Sequence, residues 1–404
     1  MKKKAVPSRT VKNVLVIVLW LAAGTGPLPA QTTGSQKMPV IELKGNAYER
    51  GWQHGTQLKK EIATIFTRWK QNMRSPNPDS LINAFLAATN FEPATRKYVP
   101  AVLDELKGIA AGSGQSYADV FAFQLLDEFW VYLDTKRNEE RHHCSGIGVA
   151  AMAGRPAYIA QNMDVENYMQ GGQVLLHIPS TAKEPEQYII TCAGLVALNG
   201  MNAASIGMCM NTIMELQAST DGLPVAFIIR GVLNQKNGKD AMDFLKNVKH
   251  ASGQNYILGI VDSVYDFEAS SNQVIRFVPQ TGDHLLVYHT NHALANNDVK
   301  PWYKKLFENN IAGRNTSDNS VIRLASLQQR LDKQPAAITP DIIKNTLRAK
   351  DNPYNPVCRT YREGGFGFTF SSILFTLSGR RSVQLTYGSP DQSEYEEYFF
   401  TTTK

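Results

Sequence analysis

From Cys144 to about Ile213 the sequence breaks into short β-rich runs punctuated by glycine and proline: SGIGVAAM, AYIAQNM, QVLLHI, QYIIT and SIGMCMNTI. The preceding region, Ala47 to Thr135, reads mainly as helix. Apolar residues recur there at helical spacing over Gly55 to Met73 and Arg96 to Ala111, with Pro93 and Gly112 bracketing the second stretch. Helical patterns return at Leu223 to Asn234 and Lys239 to His250, followed by strands around Tyr256 to Val261, Val274 to Val278 and Leu285 to His289. Two more helical segments, Ser317 to Leu331 and Thr339 to Lys350, precede a final hairpin from Phe366 to Tyr387. Strands gathered in blocks and helices gathered in blocks predict stacked sheets covered by helices, not alternating βαβ units. With 404 residues, 43% of them hydrophobic, the chain can bury a core of that size.

The chain opens with Lys2, Lys3, Lys4, Arg9 and Lys12, then an apolar run from Val14 to Ala23, then Gly24, Pro27, Pro29 and Ala30. This is the anatomy of a secretory signal over residues 1–30. The run falls short of the roughly 20 residues a spanning helix needs; an uncleaved anchor is the alternative. Removing this cluster takes away part of the formal charge of +6. In the remainder, Lys and Arg mingle with Asp and Glu, which argues against a nucleic-acid surface.

Four cysteines, Cys144, Cys192, Cys209 and Cys358, are too few and too scattered for a disulfide scaffold or a CxxC metal site. An oxidising compartment would permit one bridge, and Cys192 with Cys209 is the pair to suspect. His142, His143, His289 and His292 invite a metal reading. His289 and His292 lie three positions apart at a strand end, however, where alternating side chains should not converge. A papain-like arrangement is disfavoured because its local signature around the cysteine is missing.

The segment Cys144 to Asp164 carries the most chemistry. Gly154-Arg155-Pro156 is a turn signal between two apolar runs, so the stretch reads as a β-hairpin. Residues equidistant from the turn face each other, which sets Cys144 beside Asp164 or its neighbour at the open end. A buried cysteine near a strand-ending aspartate is the bland alternative.

CSGIGVAAMAGRPAYIAQNMD resembles the start of the mature chain in the isopenicillin-N acyltransferase family, relatives of penicillin V acylases and bile-salt hydrolases among the N-terminal-nucleophile hydrolases. There a cysteine opens the first strand and Asn-x-Asp closes the second, here Asn162-Met163-Asp164. Further stretches agree in order with the family: ERGWQHG (Glu49 to Gly55), NGMNAASIGMCMN (Asn199 to Asn211), HTNH (His289 to His292) and Ser320 with Arg323. Gln161, where bile-salt hydrolases carry arginine, is more like the acyltransferase branch; His143 stands where that branch often has glycine.

The resemblance implies an α+β, four-layer αββα sandwich. It also implies a helical propeptide or small subunit over residues 31–143, retained after cleavage, and a catalytic domain over residues 144–404. Cys144 would be the N-terminal nucleophile and Asp164 the group that polarises its amine and thiol. Asn291 would serve the oxyanion, Asn202 would be a second polar contact and Arg323 the nearby arginine. For Asn202 a turn role, and for Arg323 a surface helix charge, remain open. His54 is read as packing or capping the helix of its segment. The expected reaction is acyl transfer from an N-acyl amide without cofactor or metal. The competing reading is an unprocessed binding or inactive homologue of the same fold.

Overall fold

The computed structural model describes residues 36–133, 144–279, 285–301, 303, 319–332 and 337–401. Residues 1–30, His142 and His143 lie outside this set.

Seven helices fill the first described stretch: α1 (Ala47–Gln57), α2 (Lys59–Asn72), α3 (Pro78–Ala87), α4 (Phe91–Tyr98), α5 (Pro100–Ser113), α6 (Tyr117–Phe123) and α7 (Leu126–Tyr132). The helix expected over Gly55 to Met73 is in fact two, parted at Leu58. That over Arg96 to Ala111 is parted at Val99, because Pro100 lacks an N–H and disfavours the helical conformation in the residue before it. The ERGWQHG motif has a steric explanation. A Cβ added at Gly51 would sit 1.9 Å from the Glu105 carbonyl oxygen, and one at Gly108 would sit 2.2 Å from that of Tyr48. The paired glycines let the backbones of α1 and α5 touch.

Two sheets follow. The larger takes β1 (Val40–Glu42), β4 (Gln173–Ile178), β5 (Gln187–Cys192), β6 (Asn199–Asn202), β7 (Ile206–Thr212), β8 (Gln254–Ile260), β9 (Ser263–Ala269) and β10 (Val274–Phe277), in that spatial order. The smaller runs β11 (Leu286–His289), β2 (Ser145–Val149), β3 (Tyr158–Glu166), β12 (Gly367–Thr376), β13 (Ser382–Leu385) and β14 (Glu396–Phe399). Pairing is antiparallel except between β1 and β4. The helices α8 (Val225–Leu233) and α9 (Gly238–Asn247) join the first helical layer, while Asn319–Leu331 and Pro340–Leu347 lie on the other side.

Three hydrophobic clusters fill the three spaces between four layers. One joins α1–α9 to the larger sheet through residues such as Phe66, Leu106, Phe227, Met208 and Leu258. A second lies between the sheets, with Ile159, Phe375 and Leu377 facing Leu175, Ile190 and Ile257. The third packs Leu324, Leu327, Ile343 and Leu347 onto Ile147, Val149 and Leu374. This is the αββα sandwich expected of the chain. With both faces covered, β2 is buried at all five positions.

Cys192 belongs to the first cluster and Cys209 to the second. They point to opposite faces of the larger sheet and both are free thiols, so the suspected bridge between them does not form. Strand alternation, which spacing alone did not resolve, separates them.

Candidate active site

The hairpin register follows the turn. Ser145 pairs with Asn162 and Val149 with Tyr158, so Cys144 lies opposite Met163, the neighbour of Asp164. The Cys144 sulfur is 3.7 Å from the Met163 sulfur and 3.7 Å from the Asp164 carbonyl oxygen. Strand β2 comes close enough to the larger sheet that a Cβ at Gly146 would lie 2.7 Å from Ile257 Cδ1. Glycine at that position permits the approach.

Arg323 is fully buried and draws the site together. It donates to the Cys144 carbonyl, to Ser145 Oγ at 3.0 Å, to Asn291 Oδ1 at 2.9 Å and to Asn319 Oδ1 at 2.7 Å. It is therefore not a surface helix charge. Asn291 donates its side-chain amide to the Thr212 carbonyl at 3.0 Å and its backbone N–H to Ser320 Oγ at 2.7 Å. Cys144, Asp164, Asn291 and Arg323 thus converge on one end of the hairpin.

Asn202 does not join them. Its amide donates to the Leu233 and Gln235 carbonyls, and its oxygen accepts from Ala204 N–H and Ile206 N–H. It closes the turn between β6 and β7, whereas the end of β7 near Cys144 is Thr212, about 20 Å further along at 3.3 Å per residue. The asparagine of the same motif that lies at the right end is Asn211. It is buried, accepts from Gln161 Nε2 at 2.7 Å and donates to the His289 carbonyl at 3.1 Å.

Burial pushes the Cys144 thiol up to about 12, and the Asp164 charge adds to the shift. Burial also raises Asp164 to about 7, against the opposing pull of Arg359, the Thr369 hydroxyl and Arg323. The Asp164 carboxyl is buried beside the Thr369 hydroxyl, with Arg359 Nε 4.0 Å from Oδ2.

Cys144 and Asp164 open onto a cavity of about 60 Å³, room for a few water molecules. Met163, Met169, Leu198, Met210 and Ile229 make it mainly apolar. The helical segment supplies another wall: Gln124, Asp127 and Trp130. Asp127 accepts from Thr212 Oγ1 and Gln254 Nε2, each at 2.7 Å. Burial, then the Asp127 charge, raises Glu128 to about 7. Sequence reasoning missed these residues, although two adjacent acids within the apolar stretch Leu125 to Tyr132 were a visible signal.

His289 and His292 go to different partners, Glu268 at 2.8 Å and Ser320 Oγ at 2.7 Å. Glu268 also accepts from the backbone N–H groups of Leu294, Ala295 and Asn296, so it anchors the loop that carries Asn291. His54, buried late in α1, accepts from Gly194 N–H at 2.9 Å. Burial lowers its pKa to about 4, which suits a neutral acceptor packing against the larger sheet rather than a cap at the helix start.

A curated protein of Emericella nidulans, the 40 kDa form of acyl-coenzyme A:6-aminopenicillanic-acid-acyltransferase, is 22% identical over 356 residues, 88% of this chain and 94% of that protein. Two solved structures share less. A mutant of conjugated bile acid hydrolase from Clostridium perfringens has a TM-score of 0.38 and 11% identity, over 64% of this chain and 97% of that one. Penicillin V acylase from Agrobacterium tumefaciens has a TM-score of 0.37 and 13% identity, over 59% of this chain and 82% of that one. The sequence profile of one family spans residues 151–392 of the chain, which belongs to the acyl-coenzyme A:6-aminopenicillanic acid acyl-transferase family.

Proposed function

We propose that the chain is an exported, self-cleaving cysteine amidohydrolase or acyltransferase that acts on N-acyl amides through a thioester on Cys144. The observation that carries this reading is that Cys144 and the buried Asp164 line one cavity, where Arg323 donates to both the Cys144 carbonyl and Asn291.

In the uncut chain the thiol has a pKa of about 12 and is a poor nucleophile. Maturation begins when the Cys144 sulfur attacks the His143 carbonyl. The peptide nitrogen leaves as the Cys144 α-amine and a thioester forms; water then opens it, freeing the thiol and a His143 carboxylate. An α-amine near pKa 8 now sits on the nucleophile's own residue. As ammonium it adds a positive charge near Asp164; as free amine it takes the thiol proton.

The thiolate next attacks the substrate's amide carbonyl. Asn291, held by Arg323 and Thr212, offers an amide N–H to the developing oxyanion. The amine leaves with the proton, and water, the acceptor we favour, hydrolyses the acyl-cysteine. The apolar cavity suits the acyl group. The helical segment stays attached after the cut through Glu105–Arg230, Asp127–Thr212 and Glu128–Ser252 contacts.

On a denaturing gel the wild type should give two fragments, the larger beginning Cys-Ser-Gly-Ile on N-terminal sequencing. Cys144→Ala should stay as one chain and lose turnover, whereas Cys192→Ala and Cys209→Ala should do neither. A different start, or full amide hydrolysis by Cys144→Ala, refutes the mechanism. Basic and apolar residues 2–30 support export. The exported protein should then lack them.

A further inference from the structure

We infer that Asp127, on α7, is a positioning residue of the reaction: it holds Thr212 so that the Thr212 carbonyl aims the side-chain amide of Asn291. This rests on the acyl-transfer reading above and adds to its site a residue of the helical segment, which the cut would sever from Cys144.

Thr212 ends β7, and its cross-strand partner Gln254 begins β8. A single oxygen clamps the pair: Asp127 Oδ2 accepts from Thr212 Oγ1 and from Gln254 Nε2, each at 2.7 Å. Gln254 Nε2 also donates to Ser252 Oγ at 3.0 Å, and Ser252 Oγ donates to Glu128 Oε1 at 2.7 Å. The Val225 N–H at the start of α8 reaches the same Glu128 oxygen at 3.2 Å. Two adjacent acids on α7 therefore grip the ends of two strands and one helix, and all of these side chains are withdrawn from water. A hydroxyl bonded to a carboxylate in such surroundings is held more firmly than one bonded to a neutral acceptor.

The grip bears on Asn291 through one peptide group. Where β7 ends, the Thr212–Ile213 peptide donates its N–H to the Gly253 carbonyl at 2.9 Å and accepts on its own carbonyl from Asn291 Nδ2 at 3.0 Å. One ladder bond leaves that peptide able to pivot; the side-chain tie to Asp127 removes the freedom. The oxygen of the Asn291 amide is fixed by Arg323, which donates to it at 2.9 Å. A planar amide held at its oxygen and at one N–H has a set direction for its second N–H, the one the proposed oxyanion would accept. Asp127 and Thr212 line the same cavity as Cys144, so the relay runs along the wall beside the nucleophile. Small displacements there matter, because an oxyanion donor works only when aimed at the place where charge develops.

The test is a double-mutant cycle on the purified full-length protein, read by hydrolysis of hexanoyl-p-nitroanilide and by NMR relaxation of the Asn291 side-chain amide, the signal missing from Asn291→Ala. Thr212→Val exchanges the hydroxyl for a methyl, and kcat should fall about tenfold with KM within about twofold. Thr212→Ser, which keeps the hydroxyl, should recover most of that loss. Asp127→Ala should match Thr212→Val, and the two together should be no slower than either alone. In the Asn291→Ala background, itself slowed on the order of 100-fold, Thr212→Val should change kcat by less than about twofold. The Asn291 amide should be as rigid as the backbone in wild type and Thr212→Ser, with an order parameter of about 0.85, and should drop below about 0.6 in Thr212→Val. If Asp127→Ala does not fold, the two Thr212 variants decide. A rigid amide or an unaltered kcat in Thr212→Val, or a loss that persists in full without Asn291, overturns the relay. A loosened amide in a protein whose wild type leaves the anilide intact upholds the relay and counts against acyl transfer alone.

Discussion

Truncating Glu105 should destabilise the protein by an amount the structure lets one bound. Glu105 on α5 and Arg230 on α8 meet through two parallel hydrogen bonds of 2.7 and 2.8 Å, both side chains being withdrawn from water. Although burial opposes ionisation, the Arg230 charge holds the Glu105 carboxyl below its ordinary range. In Glu105→Ala the guanidinium stays buried and loses both acceptors. Stranding one member of such a pair costs about 3–5 kcal/mol. Arg230→Met should cost a comparable amount by stranding the carboxylate. Glu105→Met with Arg230→Met removes both desolvated charges and should recover to within about 2 kcal/mol of wild type. Equilibrium urea unfolding followed by fluorescence of Trp69 and Trp130, both in the helical segment, reads all four proteins. A Glu105→Ala loss under about 1 kcal/mol, or a double variant as unstable as the sum of the singles, would refute the reasoning.

Asp164→Asn keeps the shape but removes the charge, so kcat should fall on the order of 100-fold while the urea midpoint moves little or rises; an unaltered kcat would remove Asp164 from the mechanism. Burial draws the His289 pKa down, but the Asp266 and Glu268 carboxylates beside it prevail and raise it to about 9. The native pKa exceeds the unfolded value near 6.5, so this stabilisation is complete below pH 6.5 and lost as pH rises through 9. Stability should thus drop on the order of 2 kcal/mol across that window. Glu268→Gln should flatten the drop and, by loosening the loop of Asn291, lower kcat; a pH profile identical to wild type would refute the assignment.

The sequence by itself determined the layers and the hairpin. Blocks of helical and strand periodicity follow from which residues must leave water, and a Gly-Arg-Pro turn fixes which residues face each other across it. Cys144 and Asp164 were therefore legible, and motif order carried Asn291 and Arg323. What it did not determine was how distant elements abut. Asn202 and Asn211 sit in one motif, and only the direction of β7 decides which lies at the strand end near Cys144. Cys192 and Cys209 look like a pair until the pleat turns them to opposite faces. Asp127 and Glu268 carry no local signature, because each is placed by partners further along the chain: Thr212 and His289. Periodicity records which side of an element is buried, whereas a site depends on which buried sides meet, and that is settled only when the two sheets and their helices pack.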